Sequence, residues 1–142
     1  MDWTSDQMSA FVAARYKDKP HADYSKDIAA WNRIHRKAIE ILELKNYDPA
    51  RIWDISITSN VLRIEFSTKS DLEYNYRQVF VCDSSYLDLD FYSMRLDHES
   101  LEADINAIKK QQELERKTKD EYRQYLRFRE KFDPDFVRPD EF

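Results

Sequence analysis

The sequence predicts an α+β fold, and three observations carry that reading. Apolar residues recur at three- and four-residue steps through the first 46 positions. The period then changes to two between Trp53 and Phe66. From Asp97 to Phe132 there is no proline, in a chain that contains no glycine at all. Helical pattern, alternating pattern and helical pattern in succession imply helices segregated from an antiparallel sheet. The expected order is two N-terminal helices, a four-stranded antiparallel meander sheet and a long C-terminal helix.

The first helix is expected to start after Thr4, because Thr4 and Gln7 have capping-box spacing and each side chain can satisfy an orphan backbone donor. Met8, Phe11 and Val12 share one face, and the helix should run to about Lys17, before the breaker Asp18-Lys19-Pro20-His21. A second helix is expected from Ser25 as N-cap to near Asn46. Ile28, Trp31, Ile34, Ala38, Ile41 and Leu42 form its buried stripe, and Asp48-Pro49 stops it.

Trp53, Ile55 and Ile57 alternate with Asp54, Ser56 and Thr58. Leu62, Ile64 and Phe66 alternate with Arg63, Glu65 and Ser67. The two runs read as a hairpin with one apolar face, and Asn60 is the natural residue to take a positive φ where glycine is missing. A turn at Ser70-Asp71, a third strand from Tyr74 to Cys82, a turn at Asp83-Ser84-Ser85 and a fourth strand from Tyr86 to Tyr92 complete the expected sheet.

The last helix is expected from the N-cap Asp97 to about Phe132, with acids early and Arg127, Arg129 and Lys131 late, as the helix dipole favours. Its length of about 52 Å would exceed a globule of about 37 Å. Its apolar content is divided: Leu101, Ile105 and Ile108 form one anchor, and Tyr122, Tyr125, Leu126, Phe128 and Phe132 form another. Between them, Gln111 to Asp120 holds Leu114 as its one apolar residue. Residues 1–132 are therefore read as one α+β domain including the long helix (about 97–132), and 133–142 as an extended acidic tail.

Zero glycine excludes several chemistries. A phosphate-cradling loop, a dinucleotide fingerprint, a nucleophile elbow and a standard calcium loop each need glycine where backbone turns sharply or touches a ligand. A single cysteine, Cys82, excludes an intrachain disulfide and multi-cysteine metal sites, and its neighbour Asp83 would raise rather than lower its pKa. His21, His35 and His98 show no ligand spacing. No run of 18 apolar residues is present, and the acidic start MDWTSDQMSAF does not resemble a signal peptide. The expectation is a cytoplasmic protein, or one of the host cytoplasm if a virus or mobile element encodes it, with no membrane association, no cofactor and no metal.

The net charge of −5 is unevenly spread. Residues 71–104 carry 9 acidic and 2 basic side chains, whereas residues 105–131 carry 9 basic and 5 acidic. Such blocks create local fields that the total hides. Asp83, Asp88, Asp90, Asp97, Glu99, Glu102 and Asp104 make a candidate acidic surface that imitates the charge of a nucleic-acid backbone. Tyr122, Arg123, Tyr125, Leu126, Arg127, Phe128, Arg129 and Phe132 make a candidate partner-binding surface, because Tyr and Arg supply most of the energy at protein hot spots.

The leading expectation is a non-enzymatic interaction module, a small acidic inhibitor or adaptor. Its partner would be another protein, such as a nucleic-acid-binding enzyme, or a second copy of the chain. A second reading uses the same Arg and aromatic residues to bind nucleic acid, with bases stacked on rings and phosphates held by cations. A third is a metal-dependent enzyme built on Asp54, Glu65, Asp88 and Asp90, with Asp88 and Asp90 on one face of a strand. The position two after Glu65 is Ser67, where nucleases of the Glu-x-Lys type require lysine.

Overall fold

Thr4 opens the first helix, α1 (Ser5–Arg15), through the expected capping box: its hydroxyl accepts from the Gln7 N–H at 3.1 Å, and its own N–H donates to the Gln7 side chain at 2.8 Å. This computed structural model describes residues 3–23 and 31–132. By contacts the chain divides into two units, Met1–Glu99 and Ser100–Phe142. The second helix, α2, covers Trp31–Leu42 and tightens into a 3₁₀ turn at Glu43–Lys45. Its expected start at Ser25, like the expected tail at 133–142, lies outside the described residues.

The strands β1 (Arg51–Thr58), β2 (Val61–Ser67) and β3 (Gln78–Asp83) form a three-stranded antiparallel sheet in the order β1-β2-β3. Ile55 faces Ile64 and Ile57 faces Leu62, so alternation puts both sets on one side, with Phe80 and Cys82 continuing that side on β3. Ile34, Ala38, Ile41 and Leu42 of α2 pack with these residues, Phe66, Tyr86 and Met94 in the main core. On the other side of the sheet, Val12 of α1 and its C-cap Tyr16 pack with Val61 and Val81.

Glycine's usual positions are filled mainly by asparagine. Among the described residues, positive φ occurs at Asn46, Ser59, Asn60 and Asn75. Ser59 and Asn60, at φ 51° and 64°, make the β1–β2 turn with both central residues left-handed, the geometry whose twist matches the flanking strands. A bulge at Trp53 breaks the β1–β2 register. It sets the indole between the guanidinium groups of Arg51 and Arg77, at 3.7 and 3.8 Å, with Nε1–H donating to Ser67 Oγ at 2.8 Å.

The sheet differs from the expected meander at two places. The third strand begins at Gln78 rather than Tyr74, because Thr68 and Asp71 form a second capping box that starts a short helix, α3 (Lys69–Glu73). The expected fourth strand is absent among the described residues. Asp83 caps a 3₁₀ turn at Ser84–Asp88 by accepting from the Ser85 N–H at 3.2 Å. Leu87, Leu89 and Phe91 do reach the main core, but from this turn, from the linking residues and from the start of a helix. Their two-residue spacing imitates a strand over too short a span to discriminate.

The long helix, α4, spans Phe91–Phe132, 42 residues. It starts six residues before the expected N-cap. Asp90 performs that role, accepting from the Ser93 N–H at 2.7 Å on its side chain and from the Met94 N–H at 3.0 Å on its carbonyl. No helix among the described residues is long and apolar enough to cross a membrane.

Candidate interaction surface

The distal half of α4 is held helical by charge pairs at three- and four-residue spacing. Arg116 joins Glu113 and also Asp120 at 3.6 Å, Arg123 joins Asp120 at 3.6 Å, and Gln111 donates to Glu115 at 3.2 Å. The Arg116 guanidinium holds the Glu113 carboxyl below the usual range for glutamate.

Against this solvated background stands a row of large apolar side chains. Leu114 is 59% exposed, Tyr125 52%, Phe128 60% and Phe132 65%. On a helix that turns about 100° per residue, these four fall within an arc of roughly 60°. Tyr122 stacks on Tyr125 with ring centroids 6.2 Å apart, and Phe128 meets Phe132 at 4.6 Å. A contiguous exposed apolar stripe of this kind marks a contact surface more often than a lone exposed residue does.

Not every expected member of this surface lies on it. Leu126 is buried, at 1% exposure, and so is not part of the exposed stripe. Arg129 is half-buried. Arg123 is exposed and occupied by Asp120, while Arg127 is exposed on the side of α4 opposite the stripe.

The expected acidic surface is corrected more heavily. Asp83 is buried, at 1% exposure, with its Oδ1 2.8 Å from His21 Nε2 and its Oδ2 accepting from the Ser85 N–H and hydroxyl. Asp97 is half-buried. Its Oδ2 accepts from both the Tyr16 and Tyr86 hydroxyls, each at 2.5 Å. Burial first, and the hydrogen bond to Asp97 second, push both phenols above their usual range. Both carboxylates serve internal bonding, and Asp83 has almost no exposed area. Asp90 caps α4, Glu99 lies 3.8 Å from Arg95, Glu102 is half-buried and Asp104 is exposed. Asp88 is exposed at the rim of a cleft of about 560 Å³ that it shares with Arg33, Arg36, Lys37 and Glu40.

The Tyr16–Asp97–Tyr86 and His21–Asp83–Ser85 groups are not legible in the sequence, because their members come from segments up to 81 residues apart. The second group borders a cavity of about 250 Å³ lined by Ala13, Tyr16, Lys17, His21, Ser59, Asn60 and Asp83. Its order differs from a nucleophilic triad. The carboxylate stands between imidazole and hydroxyl, so His21 is not in line to take the Ser85 proton.

The residues of the metal-enzyme reading are not gathered either. Asp54 faces Glu65 across β1–β2, but Arg77 engages Glu65 at 3.1 Å, and Asp88 and Asp90 occupy a 3₁₀ turn and a helix cap rather than one face of a strand. Among the described residues no group of three or more His, Cys, Asp or Glu side chains is placed to hold a metal ion. Cys82 is buried, as its position in a strand suggested, and burial followed by the charge of Asp83 pushes its thiol well above the usual range. The chain matches no protein-family model, no curated protein and no solved structure.

Proposed function

We propose that this chain is a non-enzymatic protein-interaction module, an adaptor or inhibitor, whose docking surface is the aromatic stripe of α4. The observation that carries the reading is the exposure of Leu114, Tyr125, Phe128 and Phe132, each above one half, along one face of the helix. Burying a side chain of this size is worth about 1.5–3 kcal/mol, so four in one row supply enough for a specific contact. Aromatic anchors flanked by cations are the composition of protein hot spots. The inward turn of Asp83 and Asp97 removes two charges from the acidic surface and shifts weight away from nucleic-acid mimicry toward the helix.

A photoreactive amino acid placed at Phe128, on the stripe, and at Arg116, on the opposite face, tests this reading in an extract of the native source. A discrete protein adduct from position 128 and none from 116 is expected. The absence of any adduct at 128, or the same adducts from both positions, overturns it.

A further inference from the structure

The spacing along the stripe specifies more than exposure. Gln111, Leu114, Thr118, Glu121, Tyr125, Phe128 and Phe132 follow one another at alternating steps of three and four, an unbroken seven-residue repeat across three heptads of coiled-coil seam. All seven side chains are exposed. A seam of period 3.5 fits a second helix of the same period, and the order of residues decides which way that helix runs.

In a parallel pair each residue meets itself. Glu121 would then face Glu121 within the seam, two like charges taken partly out of water, and the bulky Phe128 and Phe132 would crowd their own copies while Thr118 faced Thr118. In an antiparallel pair centred near residue 123, the layers become complementary. Leu114 meets Phe132, Thr118 meets Phe128, and Glu121 meets Tyr125, whose phenol can donate to the carboxylate. Small or branched side chains then oppose rings in four outer layers, and the two central layers exchange a charge repulsion for a hydrogen bond. Beside the seam, Glu115 comes opposite Arg129, twice by symmetry, while Lys117 comes opposite Lys131. The favourable pair offsets the unfavourable one, so the central layers decide the direction. An antiparallel pair also has the two-fold symmetry that closes a homodimer.

We infer that the occupant of the stripe is a second copy of this chain, paired antiparallel through residues 114–132. The inference rests on the proposed docking role of the stripe and names its partner. Two measurements test it separately from that role. Sedimentation equilibrium of the unsubstituted chain into the high micromolar range should show the mass rising from 17.2 kDa toward twice that value. A constant 17.2 kDa overturns the second copy as occupant, while the photo-adduct at position 128 still reports independently on docking to a different protein. For direction, Thr118→Cys and Phe128→Cys chains are mixed in a glutathione redox buffer, with the native Cys82 buried and out of reach. The 118–128 disulfide should exceed both same-site disulfides. A predominance of 118–118 and 128–128 products overturns the antiparallel arrangement.

Discussion

Tyr16 and Asp97, 81 positions apart, are joined by a 2.5 Å hydrogen bond from phenol to carboxylate, and Tyr86 donates to the same oxygen. One carboxylate thus ties together α1, the 3₁₀ turn after β3 and the second turn of α4. Hydrogen bonds to a charged acceptor are worth about 1.5–3 kcal/mol each. Asp97→Ala should therefore destabilise the chain by roughly 3 kcal/mol, and Tyr16→Phe by roughly half as much. Thermal melts followed by circular dichroism check this. An Asp97→Ala melt unchanged from that of the parent would refute the role given to the carboxylate.

The same pair of phenols sets an alkaline limit. Both have native values raised above the ordinary value of 10.0. Below pH 10 they are protonated in the folded and unfolded states alike, and their contribution is fully present. Above pH 10 the unfolded chain loses these protons while the folded chain retains them, so stability falls as pH rises. Chemical denaturation at several values from pH 8 to 11 should show a decline that begins near pH 10. The Tyr16→Phe, Tyr86→Phe double variant should show a shallower one.

The hairpin turn predicts a gain. Ser59 and Asn60 both hold positive φ, which costs an L-residue roughly 1–2 kcal/mol and costs Asn and Gly less. Replacing Ser59-Asn60 by Asn-Gly should raise stability by about 1 kcal/mol, measured by urea titration, with no change in the fold. A loss of stability would mean that the Ser59 side chain contributes more than its backbone strain removes.

Cys82 should be inert in the native state. It has no exposed surface, and burial holds its thiol above the ordinary range. A thiol-reactive chromophore should therefore react only as fast as the sheet opens, and fully once denaturant is added. Rapid stoichiometric labelling of the native protein would contradict the burial of this strand.

Much of this fold is legible residue by residue. Thr4 with Gln7, the second alternating run and Asn60 in the turn all act through neighbours within a few positions, and each is found as expected, whereas in the first run the bulge takes Trp53 off the face of Ile55 and Ile57 and Ile52 packs on the core instead. The fourth strand is misread for a local reason. Tyr86 to Tyr92 alternates like a strand, but the backbone there is decided by two aspartate caps: Asp83 closes β3 and Asp90 opens α4. A cap exerts its effect through one hydrogen bond, which leaves no periodic trace.

The candidate surface divides in the same way. Its aromatic members are visible in the sequence as a cluster with helical spacing. Leu126, Asp83 and Asp97 appeared equivalent to their exposed neighbours and are not.

Local chemistry, acting over a turn of helix or a pair of strands, is written in the order of residues and settles which helices and strands form and where the glycine-free chain bends. Which carboxylates face water and which accept buried phenols is a matter of long-range packing. Desolvation and hydrogen bonding there depend on segments that meet only when the chain has folded.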